Sequence, residues 1–333
     1  MRGPAVRERG LAARKPTEAA RHGEPEVEIS RVRLLLSLVV GVVAVSFAAI
    51  LIRVAQAAGM PTLPIAAWRL TFASAILLPY AWFTRRTEMR GLVRREWLLL
   101  ALSGVFLGLH FATWIGSLGL TSVASSVVLV SMGPVFVGLG SWLFLRERPS
   151  ALLASGIVLA AVGSILISWG DLGKGQDQLL GDLLALTGAI MVAGYLMIGR
   201  RVRGHLSLTT YIALVYGVAM LTLLAIVLVS GQPMVGYSPL AYAWVLALAL
   251  GPQIVGHSTL NWALRYLSAT LVAIITLAEP IGSGVLAYVL LGEAVTWSTG
   301  VGAVLVLAGI YIASRAEVAS ASRRVVAEGG PAA

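Results

Sequence analysis

Apolar residues fill most of the chain in blocks of about 20, and polar residues are confined to the short segments between them. Each block is long enough, as a helix, to cross a hydrocarbon core of about 30 Å. The blocks fall at residues 34–55, 61–83, 97–118, 123–145, 151–169, 179–199, 208–229, 240–264, 267–291 and 297–314. The pattern predicts an all-α polytopic membrane protein with ten transmembrane helices, and prolines within 61–83 and 240–264 are expected to bend or shorten those two. Residues 1–33, rich in Arg, Glu, Ala and Pro without apolar periodicity, read as a disordered tail, and residues 315–333 as a C-terminal tail. The block at 34–55 is longer than the apolar core of a signal peptide and has a counterpart later in the chain, so it is expected to be a retained helix.

Composition supports this class. The 333 residues are 58% hydrophobic and 12% charged, with a mean hydropathy of +0.88, which excludes a soluble domain. The absence of cysteine excludes disulfides, thiolate metal sites and cysteine nucleophiles. A net charge of +10 would point to nucleic acid in a soluble protein, but here its distribution reports topology. When the segments between helices are numbered alternately, 22 of the 25 Lys and Arg residues share the side of the N-terminus. Lys174 is opposite, and Arg53 and Arg69 lie within helices. The positive-inside rule then puts both termini in the cytoplasm, the 170–178 segment outside and the protein in the cytoplasmic membrane.

The chain also repeats itself. At an offset of 146, residues 121–168 align without gaps to 267–314, pairing Pro134 with Pro280, Gly138 with Gly284, Glu147 with Glu293, Gly156 with Gly302 and Gly163 with Gly309. Weaker matches pair Gly41 with Gly188 and Arg53 with Arg200, extending the repeat to five helices per half, 34–170 and 179–314. Five is odd, so the second half starts on the opposite side of the membrane and the repeat is inverted. Inverted repeats place a transporter's substrate near the midplane between the halves.

The paired segments GPVFVGLGSWLFLRERPS (133–150) and EPIGSGVLAYVLLGEAVT (279–296) resemble the repeated signature of EamA-type proteins in the drug/metabolite transporter superfamily. The resemblance covers roughly residues 34–314. It implies a ten-helix exporter or exchanger of amino acids, other metabolites or drugs, commonly coupled to protons.

Candidate chemistry lies in the polar residues buried in apolar blocks. Glu279 is the single ionisable group in the 25 residues of 267–291 and directly precedes Pro280. A carboxylate at mid-membrane costs about 2.5 to 3.5 kcal/mol on insertion scales. Pro280 deprives the Thr276 carbonyl, four residues back, of its helical partner. The kinked carbonyl of Thr276 and the hydroxyl of Ser283, four residues on from Glu279, fall on the same helical face and are expected to complete its binding shell. Pro134 and Pro280 are candidate paired helix breaks. Arg69 has three open roles: pairing with Glu279, holding an anionic substrate group, or snorkelling to the outer headgroups. His110, and the set Gln253, His257 and Asn261 on one helical face, are further candidates for binding or proton relay, against a plain role in helix contacts.

The chain has no His-Glu-x-x-His, no Gly-x-Ser-x-Gly and no paired intramembrane aspartates, which argues against a membrane-embedded enzyme, and no phosphate-binding loop, which argues against ATP-driven transport. The expectation is a secondary transporter with a small-molecule substrate, protons as coupling ion, the lipid bilayer as its setting, and no cofactor, metal or nucleic acid. A passive channel is the alternative.

Overall fold

The computed structural model describes residues 30–121, 126, 129–145, 150–167, 177–291 and 297–327. The N-terminal tail before residue 30, Arg146, Glu147, Arg148, Trp169, Asp171, Lys174 and Glu293 lie outside the described residues, as do residues 328–333 of the C-terminal tail.

Every described element is helical. Serines repeatedly set the starts: Ser30, Ser207, Ser238 and Ser268 each accept a hydrogen bond from the backbone N–H three residues on, satisfying one of the donors a helix leaves free at its first turn. Helix α1 (Arg31–Ser46) breaks at Phe47 and resumes as α2 (Ala48–Ala57). Helix α3 (Thr62–Arg90) starts after the extended Pro61 and turns sharply at Arg85, whose φ of −131° is not helical. There follow α4 (Arg94–Ser117), α5 (Gly133–Leu145), α6 (Ala151–Ile167), α7 (Gln178–Arg203) and α8 (Leu208–Ser230), the last closed by the left-handed Gly231. Helix α9 (Pro239–Leu248) continues through a π-helical segment, Ala249–His257, into α10 (Ser258–Ala263). Helices α11 (Ala269–Thr276) and α12 (Glu279–Leu291) are separated by a short turn, and α13 (Trp297–Ala327) completes the order.

Among the described residues, seven continuous or broken helices are long and apolar enough to cross a membrane: α1 with α2, α3, α4, α7, α8, α9 through α10, and α11 with α12. Residues 151–166 and 300–316 are shorter apolar helices. Of the ten crossings expected from hydropathy, seven are full-length spans among the described residues. Helix α13 continues past residue 314, so residues 315–327 of the expected tail extend the last helix.

Polar contacts gather the connections at two ends. At one, the Glu88 carboxylate accepts hydrogen bonds from the Ser207 backbone N–H (2.7 Å) and the Thr210 hydroxyl (2.6 Å), Glu96 meets His205 (2.8 Å), and Arg200 donates to the Leu264 carbonyl (2.7 Å). At the other, Thr121 donates to Asp182 (2.8 Å), Ser238 to the Ala58 carbonyl (3.2 Å) and Trp68 to the Met234 carbonyl (2.7 Å).

Between these ends the helices approach closely through small residues. The fullest contact joins α6 to α13. A Cβ on Gly156 would lie 2.9 Å from the Gly309 carbonyl oxygen, and one on Gly163 would lie 2.6 Å from that of Gly302. Moving seven residues forward on α6 moves seven back on α13, so the helices run antiparallel, and each of these glycines meets the repeat partner of the other. The third span (α4) packs on α7, and its counterpart, the π-helical segment with its flanks, packs on α1 and α2. These contacts bring α3, α4, the π-helical segment and the α11–α12 break around one central region.

Candidate functional site

Arg69 sits two turns into α3 and is fully buried, as are its neighbours Ala66, Ala67, Leu70 and Ala73. The small side chains let adjacent helices close over the guanidinium, so it points inward and does not snorkel to the headgroups. Its Nε donates to Oε1 of Gln253 at 2.7 Å, and its Cζ lies 4.2 Å from the centre of the Phe111 ring on α4. Nη1 and Nη2 are buried with no hydrogen-bond partner among the described residues.

Gln253 owes its place to the π-helical segment. Pro252 cannot donate to the turn before it, and the backbone opens into a wider turn that re-aims the following side chains. The Gln253 carbonyl instead accepts from the Ser258 hydroxyl at 3.4 Å and from Tyr216 at 3.5 Å. Since arginine is only a donor, Gln253 must present its oxygen to it, which leaves Nε2 as another buried N–H group without an acceptor. The unpaired atoms at this point are all donors. Leaving each one unmade costs about 1–3 kcal/mol, more where the group is charged, and the stacking on Phe111 offsets about 0.5–2 kcal/mol of that.

The histidines flank the same ring. His257 packs edge-on against Phe111, with centroids 5.5 Å apart. His110 bonds the Gly188 carbonyl through Nδ1 at 2.9 Å and stacks on Trp114 at 5.8 Å. Both lie within electrostatic reach of Arg69.

Asn261, expected on one face with Gln253 and His257, donates to the His257 carbonyl one turn back (2.8 Å) and reaches Gln253 only through Tyr216. Its side chain accepts from Tyr195 (2.7 Å) and donates to Tyr216 (3.3 Å), while its carbonyl accepts from Arg203 Nε (3.2 Å). A continuous run of hydrogen bonds thus joins Arg203, Asn261, Tyr216, Gln253 and Arg69. Arg203 lies at the mouth of a cavity of about 470 Å³, at the end marked by Glu88, whose lining includes Arg85, Arg265, Trp262 and Tyr266. Sequence reasoning missed Phe111 and the three buried tyrosines. A hydroxyl inside an apolar block was the available signal for Tyr195, Tyr211 and Tyr216, and the His110-Phe111-x-x-Trp114 cluster was the signal for Phe111.

Glu279 stands at the first position of α12, close enough to Arg69 to feel its charge. The two form no ion pair within 4.0 Å, and among the described residues the Glu279 carboxylate has no hydrogen-bond partner. It is half-buried, whereas Arg69 is wholly enclosed.

The break before it rests on local backbone chemistry. Leu277 and Ala278 bond back only three residues, to the Ile274 and Ile275 carbonyls, and Pro280 then falls in the first turn of α12, where a missing N–H costs nothing. Met132 bonds to the Leu129 carbonyl in the same way before Gly133 and Pro134 open α5. Both prolines thus follow equivalent turns in the two halves. The break falls between Thr276 and Glu279, whereas Ser283 stays four residues beyond Glu279 within α12. The Thr276 hydroxyl bonds its own helix at the Ala273 carbonyl (2.6 Å), and Ser283 donates to the Ser46 carbonyl at the end of α1 (2.9 Å).

The EamA-like transporter family matches this chain twice, over residues 33–169 and 179–315. The chain belongs to that family. Among solved structures, one described only as "Crystal structure of protein" matches with a TM-score of 0.69 at 19% identity, covering 86% of this chain and 98% of its own, which shows a shared fold. Among curated proteins none matches the chain. The EamA-like chain is thus a multi-pass membrane transporter of the drug/metabolite type, and the polar groups described above are enclosed between its two repeats.

Proposed function

We propose that this EamA-like protein is a proton-coupled secondary transporter that exports or exchanges a small metabolite by alternating access. The observation that carries the reading is the pair of charged groups Arg69 and Glu279 inside the spans, whose guanidinium Nη atoms and carboxylate have no hydrogen-bond or ion-pair partner among the described residues. Such groups are costly in a membrane unless a ligand or proton uses them. We read the ten helical segments as two inverted five-helix halves in the cytoplasmic membrane, with both termini inside. The antiparallel crossing of the repeat partners α6 and α13 supports the inversion, since an axis along the membrane normal would make them parallel. Rocking of one half against the other pivots on the turns before Pro134 and Pro280. Glu279, at the start of a half-helix and partly open to the central region, carries the proton.

The test is Glu279→Gln in proteoliposomes, which keeps size and hydrogen bonding but removes titration. The expected result is loss of gradient-driven transport with counterflow exchange retained. Full proton-driven transport in Glu279→Gln, with only thermal stability reduced, would overturn the coupling role. A passive channel would instead give flux that does not saturate and ignores a counter-gradient.

A further inference from the structure

We infer that Arg69 and Gln253 form a subsite for a carboxylate, and that the transported molecule carries one. The inference rests on the transporter reading and narrows its substrate.

The free groups decide the chemistry. With Nε engaged by Gln253, the guanidinium offers its end-on fork, Nη1 and Nη2, and Gln253 adds Nε2. All three are N–H donors, all are buried, and none has an acceptor among the described residues. Two parallel N–H groups on one rigid plane match the two oxygens of a carboxylate, and Gln253 Nε2 leaves a third buried donor beside them. A ligand that is only a donor leaves all three unmade. The Phe111 ring, 4.2 Å from Cζ, holds the guanidinium plane on one side, so the fork is presented in a fixed direction.

Charge limits the class further. One guanidinium serves the site and Glu279 lies within its field; when Glu279 holds its proton, that single positive charge balances one carboxylate, and a phosphate ester or dicarboxylate brings more negative charge than the site can balance. The class is a monocarboxylate, either free or zwitterionic. A second observation points the same way. The cavity at the Glu88 end is lined by Arg85, Arg203 and Arg265, while its one carboxylate, Glu88, is committed to Ser207 and Thr210. Such a mouth raises the local concentration of anions, and the hydrogen-bonded run from Arg203 to Arg69 links it to the subsite.

The probe is a polar metabolite extract of the expression host, half of it methyl-esterified in acidic methanol, which caps carboxylates and leaves amines and hydroxyls free. The untreated half should raise the melting temperature of the purified protein by at least about 2 °C, and the esterified half should not. Gln253→Glu, which places a carboxylate against Arg69 within the protein, should melt higher than wild type without extract and gain no further shift from it. Arg69→Lys keeps the charge but loses the fork, and should need at least about ten-fold more extract for the same shift. An esterified extract that stabilises as well as the untreated one, no stabilisation by either, or an undiminished shift in Gln253→Glu would each overturn the subsite. Proteoliposome uptake separates the two levels. Equal gradient-driven uptake from both halves would end the carboxylate assignment and leave the transporter intact, whereas carboxylate-dependent stabilisation without any uptake would do the reverse.

Discussion

Gly163 and Gly302 face one another backbone to backbone where α6 crosses α13, so that a Cβ on Gly163 would lie 2.6 Å from the Gly302 carbonyl oxygen. Their repeat partners, Gly309 and Gly156, make the same contact seven residues away. In a bilayer, where lipid tails are as apolar as leucine, helices associate through such close packing and not through hydrophobic burial. A side chain at either level therefore pushes the whole crossing apart.

Gly163→Leu and Gly309→Leu, which are equivalent under the repeat, should each lower stability by about 1–3 kcal/mol. Gly300→Leu, on the same helix as Gly309 but with nothing within 4 Å of its Cβ position, should be near neutral. Thermal unfolding of the purified variants in one detergent checks this. Equal melting temperatures for all three would show that the crossing does not hold the two repeats together.

The gathering of connections at two ends gives a second expectation. Arg90 closes α3 at the Glu88 end, and Val235, 69% exposed, lies in the connection after α8 at the opposite end. The chain has no cysteine, so Arg90→Cys and Val235→Cys each carry one thiol. A membrane-impermeant maleimide applied to intact spheroplasts should label Val235→Cys and leave Arg90→Cys unlabelled until the membrane is opened. The reverse pattern would invert the whole arrangement, because Glu88 and Met234, beside these two positions, are hydrogen-bonded to Ser207 and Trp68 at their respective ends.

The repeat was legible in the sequence because it is written in residues whose roles are local: Pro134 and Pro280 open helices, and Gly156, Gly163, Gly302 and Gly309 allow contact. Arg69 and Glu279 also stood out, since a charge in an apolar block has few uses. What lay beyond the sequence was register. Pro252 announced an irregular helix, but whether it bends or opens into a π turn depends on what packs around it, and that choice sends Gln253 to Arg69, 184 residues away, and Asn261 to the tyrosines. The grouping of Thr276 with Glu279 crosses a break in the helix, whereas Ser283 keeps its place four residues on in α12. The turn at Leu277 and Ala278 resets the rotation between α11 and α12, and Ser283 is taken up by Ser46.

That contact with Ser46 yields the last expectation, beside Glu279. The Ser46 hydroxyl donates to the Val42 carbonyl at 2.8 Å and approaches the Glu279 carbonyl at 3.4 Å, while its own carbonyl receives Ser283. Gly282 lies against this group so closely that a Cβ there would overlap the Ser46 Oγ. The chain breaks at Phe47 immediately after, so the end of α1 and the start of α12 form one junction of two interrupted helices. Gly282→Ala should lower stability by about 1–3 kcal/mol and slow transport, since the added methyl wedges α12 away from α1 beside Glu279. Ser46→Gly removes the clashing atoms and should cost little alone. Combined in Ser46→Gly/Gly282→Ala, the two changes exchange volume across the contact and should recover at least about half of the loss, a coupling within the range of about 0.5–3 kcal/mol seen for residues in contact. Melting temperature and counterflow rate of the three variants measure it. Simple additivity of the two single changes in both readouts would mean that α1 and α12 do not bear on one another at Gly282, and the junction would have no part in positioning Glu279.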